Sequence, residues 1–145
     1  MSRIAIIVVI AIGGLLGGCT TNEVGRVGAS PRAEITYAAT AKYPGEARTW
    51  DMIQLTAVDD PDANVMTIYN VSDNAIGPGT IWVNGAFVHR IDGIPPRGAV
   101  EVKHVELLQA GPGTADLDSV NQSARKVEIQ TRDGLFTVQG PSRKP

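Results

Sequence analysis

The chain has one cysteine, two histidines, few aromatic residues (5%) and a formal net charge of only −2. A single cysteine excludes a disulfide within the chain, so the fold has to be held together by packing alone. The balanced charge, without a basic patch interleaved with aromatics, argues against a nucleic-acid partner. No apolar run reaches the roughly 20 residues that a membrane-spanning helix needs.

The residues that most often perform nucleophilic or acid–base catalysis are equally sparse. No Gly-x-Ser-x-Gly sequence occurs, and the two histidines, His89 and His104, both fall inside segments that we predict to be strands. A general base also needs a positioned partner, which the sequence does not place beside either histidine. We therefore predict no catalytic residues and a protein that is not an enzyme.

One acidic stretch resembles the start of a calcium-binding loop. Asp60, Asp62 and Asn64 stand at alternate positions, as the first ligands of such a loop do. Valine occupies positions 65 and 71, where the turn glycine and the bidentate glutamate belong. Because calcium needs six or more oxygen ligands, we interpret this stretch as a solvated acidic turn and predict no metal and no cofactor.

The lone cysteine lies at the end of an apolar N-terminal segment. Arg3 is followed by the unbroken apolar run Ile4–Ile12, and then by small residues and leucines up to Cys19. A short positive region, an apolar region and small residues before a cleavage point are the parts of a secretory signal peptide. Residues 16–19, LGGC, resemble the lipobox of bacterial lipoproteins.

That resemblance implies a signal peptide of residues 1–18, cleavage before Cys19, and a lipidated thiol as the membrane anchor. Each buried methylene adds about 0.8 kcal/mol of membrane affinity, so several acyl chains hold firmly. The residue after the cysteine is Thr20 and not aspartate, which by the same resemblance indicates the periplasmic face of the outer membrane. The alternative is an ordinary secretory signal that leaves an unpaired cysteine.

Residues 19–32 are polar and glycine-bearing, and they predict a flexible tether with a root-mean-square reach of about 20 Å. We predict one β domain over residues 33–140 and a disordered tail over residues 141–145. Residues 33–40 (AEITYAAT) are either a first strand or more of the linker. Sixteen glycines and nine prolines indicate many turns, and together with short β-branched runs they indicate an all-β domain.

Further stretches of the chain have the composition of strands. They are residues 49–58, residues 65–72, a hairpin over residues 80–91, and residues 99–108, where the alternation slips and a bulge near His104 would restore it. A long loop then leads to a last hairpin over residues 125–140.

The dipeptide Asn-Gly at positions 84–85 sets the register that we predict for the first hairpin. It favours a two-residue type I′ turn, because both central residues of that turn need a positive φ. This register pairs Trp82 with Phe87 and Thr80 with His89, and it places all four residues on the same face of the hairpin. Both faces of this hairpin are substantially apolar.

The dipeptide Asp-Gly at positions 133–134 predicts a second type I′ hairpin. Its register pairs Thr131 with Phe136 and Ile129 with Val138, on a mostly apolar face that we expect to cover the core. The opposite face is expected to meet water and comprises Glu128, Gln130, Arg132, Leu135, Thr137 and Gln139.

Six or seven short strands, two tight hairpins and no helical periodicity predict an all-β, antiparallel sandwich. Residues 65–138 resemble an immunoglobulin-like module of the kind found in uncharacterised bacterial envelope lipoproteins. The resemblance is carried by the strand ending in IYN, the hairpin IWVNGAFV, the turn and strand IPPRGAVEV, and the last hairpin. It implies a fold and brings no activity with it.

We therefore expect a lipid-anchored, non-enzymatic module that binds or scaffolds another protein of the cell envelope. Trp82, Phe87 and His89 are the candidate partner-binding residues, because exposed aromatics dominate interface energetics. The alternative for the two aromatics is burial, which burial statistics favour. Two other functions stay open: binding of a small ligand or metal near His89 or Asp60, and an enzyme with a carboxylate or histidine pair in a cleft.

Overall fold

A computed structural model describes residues 30–48, 53–113, 115–120 and 122–144. The predicted signal peptide, Cys19 and most of the predicted tether lie outside the described residues. In chain order the described elements are α1 (Pro31–Thr40), β1 (Leu55–Asp60), β2 (Val65–Asn70), β3 (Gly79–Val83), β4 (Phe87–Ile91), β5 (Ala99–Lys103), a 3-10 helix (His104–Glu106), β6 (Leu108–Gln109), β7 (Val127–Thr131), β8 (Gly134–Thr137) and β9 (Gln139–Arg143).

The strands form two sheets packed face to face. The first sheet has four strands in the order β5-β2-β1-β9, and the second has five strands in the order β6-β4-β3-β7-β8. Neighbouring strands are antiparallel except β1 and β9, which run parallel. The predicted sandwich is therefore confirmed as a mostly β fold of two largely antiparallel sheets, with nine strands in the described residues instead of six or seven and with one short α-helix.

The core lies between the two sheets. β1 and β2 each bury alternate residues along their length, as strands with one face on a core do. The main hydrophobic cluster joins residues of both sheets, among them Ala57, Ile68, Ile81, Val102 and Ile129. Burial of these apolar side chains is the main source of stability in a chain that has no internal disulfide.

Residues 33–40, predicted to be a strand or linker, belong to an α-helix instead. Ser30 caps the helix, because its Oγ accepts a hydrogen bond from the Ala33 amide at 3.3 Å, and Pro31 occupies the first turn. The helix buries Ala38 against the outer face of the five-stranded sheet. The weak apolar periodicity of this segment explains why the sequence did not predict a helix.

The β3–β4 hairpin has its predicted Asn-Gly turn but not its predicted register. Asn84 and Gly85 have φ values of 55° and 68°, so both adopt the left-handed conformation that a type I′ turn requires. The ladder, however, pairs Trp82 with Val88 instead of Phe87. The register is one residue further along β4 than predicted.

Ala86 is the extra residue in this hairpin. Its amide donates to the Val83 carbonyl at 3.0 Å, while its carbonyl accepts from the Ala110 amide at 2.7 Å, outside the β3–β4 ladder. Because side chains alternate along a strand, a slip of one residue moves Phe87 to the face opposite Trp82. Phe87 therefore packs in the core between the sheets, and Trp82 packs on the outer side.

The alternation of apolar and polar residues changes phase after β5 because the chain crosses there to the other sheet, and not because of the predicted bulge. β5 ends at Lys103, and the 3-10 helix follows immediately. The Lys103 amide donates to Glu106 Oε2 at 3.1 Å, which closes this turn. The chain then enters β6 in the other sheet, so the residues before and after the turn follow separate alternations.

The last hairpin is shifted by two residues from its predicted register. Its turn consists of Arg132 and Asp133, and Ile129 pairs with Phe136 instead of Val138. A slip of two residues keeps every side chain on its own face of the sheet. The predicted apolar face of β7 is therefore correct although the predicted pairs are wrong.

The side of β7 and β8 that we predicted to face water is covered only in part, because Arg132, Thr137 and Gln139 are exposed as predicted. Glu128 and Leu135 are buried beneath α1 and the extended chain that follows it, which together we call the cover (residues 31–48). At its end, the Arg48 amide donates to the Leu135 carbonyl at 2.9 Å, and the Arg48 carbonyl accepts from the Thr137 amide at 2.9 Å. The sandwich thus has a third layer on one side.

The prediction of a disordered tail is wrong, because residues 141–143 belong to β9. This strand lies beside β1, with Gln139 opposite Thr56. Gly140 has a φ of 94°, and a Cβ atom there would lie 2.6 Å from the Ala57 carbonyl oxygen. The close approach of β9 to β1 therefore requires glycine at this position.

Candidate functional site

Trp82 and Phe87 are not an exposed aromatic pair. Trp82 is 1% exposed and Phe87 is 2% exposed, and they lie on opposite faces of their sheet. His89 is half-buried on β4, where its Nδ1 lies 3.3 Å from the Glu106 carbonyl oxygen. The three residues predicted to bind a partner therefore form no common surface, and burial, the alternative for the two aromatics, is confirmed.

Trp82 is enclosed by the cover. The Tyr43 ring meets the Trp82 ring edge-on, with centroids 5.4 Å apart and planes at 73°. Trp82 Nε1 donates to Gln130 Oε1 at 2.9 Å, so its polar atom is satisfied. Ala38 of α1 and Leu135 of β8 complete an apolar cluster that is separate from the core between the sheets.

A buried carboxylate lies beside this second cluster. The Tyr43 hydroxyl donates to Glu128 Oε2 at 2.8 Å, and Lys126 Nζ lies 2.7 Å from Glu128 Oε1. Lys126 Nζ also donates to the Tyr43 hydroxyl at 3.0 Å. Its hydrogen bond with Glu128, followed by that with Tyr43, raises the pKa of Lys126 above its usual range. The three side chains satisfy one another, as a buried charge requires.

The helical end of the cover is held by a second polar group of residues. Arg90 Nη2 lies 2.7 Å from Glu34 Oε1, and this hydrogen bond raises the pKa of Arg90 above its usual range. The Arg90 guanidinium also lies 5.0 Å from the centre of the Tyr37 ring. The Tyr37 hydroxyl lies 2.7 Å from Thr80 Oγ1. Polar side chains thus attach both ends of the cover.

The outer face of the four-stranded sheet carries no such layer in the part of the chain that is described. We call it the open face. A groove of about 320 Å³ on it is lined by Val58, Asp60, Ala63, Val65, Thr67, Tyr69, Glu101 and Lys144. Tyr69 is 44% exposed there. Tyr69 was not among the predicted site residues; its one signal in the sequence was its place opposite the buried residues of β2 in the alternation.

An ion pair borders this groove. Lys144 Nζ lies 2.8 Å from Asp60 Oδ2, and the Ala63 amide donates to Asp60 Oδ1 at 3.1 Å. These bonds, the one from Lys144 first, hold the pKa of Asp60 below its usual 3.8, and Asp60 raises the pKa of Lys144. Among the described residues, no three His, Cys, Asp or Glu side chains are grouped to hold a metal ion.

A further acid–base pair, which was not predicted from the sequence, lies inside the sandwich. His104 Nε2 lies 2.8 Å from Asp59 Oδ1, although the two residues are 45 positions apart. The ladder of β1, β2 and β5 brings them together, so no local pattern could have linked them. A histidine hydrogen-bonded to an aspartate is the arrangement in which an acid orients a general base. With side-chain exposures of 5% and 1%, it lies out of reach of a substrate in the closed fold.

No protein-family model, curated protein or solved structure matches this chain. Within residues 30–48, 53–113, 115–120 and 122–144, no helix has the length and apolar character needed to cross a membrane. Function has to be inferred from the open face, the cover and the buried pairs themselves.

Proposed function

We propose that this protein is a lipid-anchored, non-enzymatic module that binds or scaffolds another protein of the cell envelope, with the open face as its contact surface. The lipid on Cys19 holds it at the periplasmic face of the outer membrane, and an immunoglobulin-like sandwich presents the surface. The lipobox-like residues 16–19 support the anchor. The two packed sheets are compatible with a sandwich of the immunoglobulin-like type.

The observation that carries this proposal is the difference between the two outer sheet faces. The cover buries Trp82 and Val88 on the five-stranded sheet. The four-stranded sheet instead leaves Tyr69 44% exposed in a groove lined mainly by strand residues. A rigid sheet face with a half-exposed tyrosine suits a protein interface, because tyrosine adds apolar area at low entropic cost and is enriched there.

The charges of the groove favour a protein surface over a polyanion. Its lining holds two acids, Asp60 and Glu101, and one base, Lys144. Lys144 is already paired with Asp60 at 2.8 Å. Nucleic acids and other polyanions are bound by unneutralised lysines and arginines, which this lining does not supply. A partner with an apolar or aromatic centre and few charges is the better fit.

A photo-crosslinking amino acid at position 69, in the full-length protein within cells, tests the surface. We expect it to capture one defined protein in near-equal amount. The same amino acid at Ile35, which is 40% exposed on α1, is the matched control and should capture far less. Equal capture at both positions would exclude the open face. If neither position captures a defined partner, the scaffolding function is overturned.

The substitution Cys19→Ser tests the anchor separately from the binding surface. We expect the native chain to incorporate labelled palmitate in cells and this variant to incorporate none, because the thiol that takes the acyl chains is lost. The purified variant should still bind the captured partner. If the variant is labelled as strongly as the native chain, Cys19 is not the lipidated residue.

A further inference from the structure

The cover is joined to the sandwich through a small set of contacts. Of its residues, Ala38 is buried, and Tyr37, Ala41, Tyr43 and Ala47 pack partly buried against the five-stranded sheet. Segments with few buried apolar contacts open at lower free energy than the core of the same domain. The cover meets this condition, with Ala38 as its one buried residue among those described.

Backbone hydrogen bonds cross the boundary of the cover at two places. The Gly111 amide donates to the Ala38 carbonyl at 2.9 Å. Arg48 exchanges two backbone bonds with the edge of β8, one with Leu135 and one with Thr137. These bonds report directly on whether the cover is in place.

The core between the sheets does not depend on the cover. In the described part of the chain, the main hydrophobic cluster draws on both sheets and on loops, without a residue of positions 31–48. Trp82, Val88 and Leu135 belong to the second cluster, together with Ala38. Because the five-stranded sheet separates the two clusters, removal of the cover dismantles one of them and leaves the other intact.

Glu128 lowers the cost of opening. Its carboxylate is buried and accepts a hydrogen bond from the Tyr43 hydroxyl at 2.8 Å. When the cover lifts, water replaces Tyr43, and the recovered hydration of the carboxylate offsets part of the lost contact. The Glu34–Arg90 pair is also partly exposed, so it exchanges its bond for water at little cost. The polar contacts of the cover can therefore exchange their bonds for water, and the apolar packing around Ala38 remains as the cost of opening.

We propose that the cover opens as one unit from an otherwise folded sandwich, and that it acts as a strap that hides or presents the apolar face around Trp82. The closed state is the one described above. The open state keeps both sheets and their core, and it exposes Trp82, Val88 and Leu135 to solvent. This inference does not depend on the function proposed for the open face, which lies on the other sheet.

Hydrogen exchange, measured amide by amide on the full chain in detergent, tests the opening. The amides of Arg48, Gly111 and Thr137 bond across the boundary of the cover, so its opening controls their exchange. We expect them to exchange at least about ten-fold faster than the amides of β1, since sub-global opening is easier than global unfolding. Equal protection of both sets means that the cover opens only with the whole domain, and it overturns the proposal.

The substitution Tyr43→Phe makes the test specific. It removes the hydroxyl that bonds to Glu128 and keeps the ring that packs on Trp82. We expect the boundary amides to exchange about three- to ten-fold faster, because one hydrogen bond to a charged group is lost in the closed state only. Tyr69→Phe removes the same hydroxyl from the open face and should change no amide of the cover. If Tyr43→Phe accelerates all amides equally, or none, the proposal is wrong.

Trp82 itself provides a second measurement. Trp50, the other tryptophan, lies outside the described residues, so Trp50→Phe leaves Trp82 as the single reporter. In that background, acrylamide quenching of Trp82 should increase with Tyr43→Phe and stay unchanged with Tyr69→Phe. Equal quenching in the two variants contradicts an opening that exposes Trp82.

Discussion

His104 Nε2 lies 2.8 Å from Asp59 Oδ1, and both side chains are buried between the two sheets. Asp59 Oδ2 is buried as well and has no hydrogen-bond partner among the described residues. The pair sits where the chain leaves the four-stranded sheet for the five-stranded sheet, so it ties β1 to that crossing. A buried polar group that loses its hydrogen-bond partner is costly, which makes this pair a sensitive polar contact of the core.

The substitution His104→Ala should lower the free energy of unfolding by at least about 2 kcal/mol, because it leaves the Asp59 carboxyl group buried without its hydrogen-bond partner. Urea denaturation measures the change. His89→Ala is the matched control, since His89 is half-buried and its Nδ1 lies 3.3 Å from the Glu106 carbonyl oxygen. This substitution should cost less than about 1 kcal/mol. The double substitution Asp59→Leu/His104→Leu should recover much of the loss. Similar losses for the two single histidine variants would refute a special role for the pair.

The ion pair of Asp60 and Lys144 makes the free energy of unfolding depend on pH in both the acidic and the alkaline range. The hydrogen bond between them is the largest cause that lowers the pKa of Asp60 below 3.8 and raises that of Lys144 above 10.5. The contribution of Asp60 to the free energy of unfolding is present above pH 3.8 and is lost as the pH falls through the lowered pKa of Asp60. The contribution of Lys144 is complete below pH 10.5 and is lost as the pH rises through the raised pKa.

Carboxyl NMR titration checks the acid limb of this dependence. We expect the midpoint of Asp60 below 3.8, and we expect Lys144→Ala to move it upward. Asp73 is an internal control in the same spectra, because Arg97 and not Lys144 lowers its pKa. A midpoint of Asp60 that does not respond to Lys144→Ala would contradict the assigned cause.

Asn84 joins the β3–β4 turn to the chain that leads into β7. Its Nδ2 donates to the Ser123 carbonyl at 3.0 Å, and its Oδ1 accepts from the Arg125 and Lys126 amides at 2.8 and 3.2 Å. Asn84→Gly keeps the positive φ and loses these bonds, so it should cost about 1–2 kcal/mol. Asn84→Asp keeps the acceptor and should cost less. Thermal unfolding ranks the two variants, and the reverse order would show that the backbone conformation dominates.

Deletion of residues 139–145 removes β9 and leaves β1 as a bare sheet edge. We expect Tm to fall by at least about 5 °C, which corresponds to roughly 1 kcal/mol in a domain of this size. We also expect self-association in gel filtration, because unprotected edge strands pair with one another. Lys144→Ala, which removes only the ion pair with Asp60, is the control and should shift Tm much less. A deletion variant as stable as the full chain would mean that β9 contributes nothing to the sheet.

Local patterns predicted the features that depend on local residues. Alternation located β2 and the core face of β7, and the Asn84-Gly85 turn has the two positive φ values that its dipeptide favours. A pattern with a period of two reports which side of a strand is apolar. It does not report the partner, so the face of β7 was correct while its register was off by two residues.

Registers were decided by segments that lie far away in the chain. Ala86 bonds to Ala110, and Asn84 bonds to Ser123 and Arg125. None of these partners belongs to the hairpin, so the hairpin sequence alone could not indicate the extra residue in its turn. The same limit applies to the Asp59–His104 pair, which depends on the pairing of three strands.

The cover was beyond prediction for a related reason. α1 has ten residues, and isolated helices this short are marginal in water. With Ala38 as its one buried residue, it shows little of the apolar periodicity that identifies a helix. Its stability comes from the sheet beneath it, and the sequence does not show that surface.

By itself, the sequence determined a mostly β chain with a tight Asn-Gly turn and a lone cysteine behind an apolar segment, because these follow from residue type and order. The tertiary structure decided that Trp82 is hidden while Tyr69 is exposed, and that Asp59 meets His104. These relations join residues that are distant in the chain, so they are set by how the two sheets and the cover pack on one another.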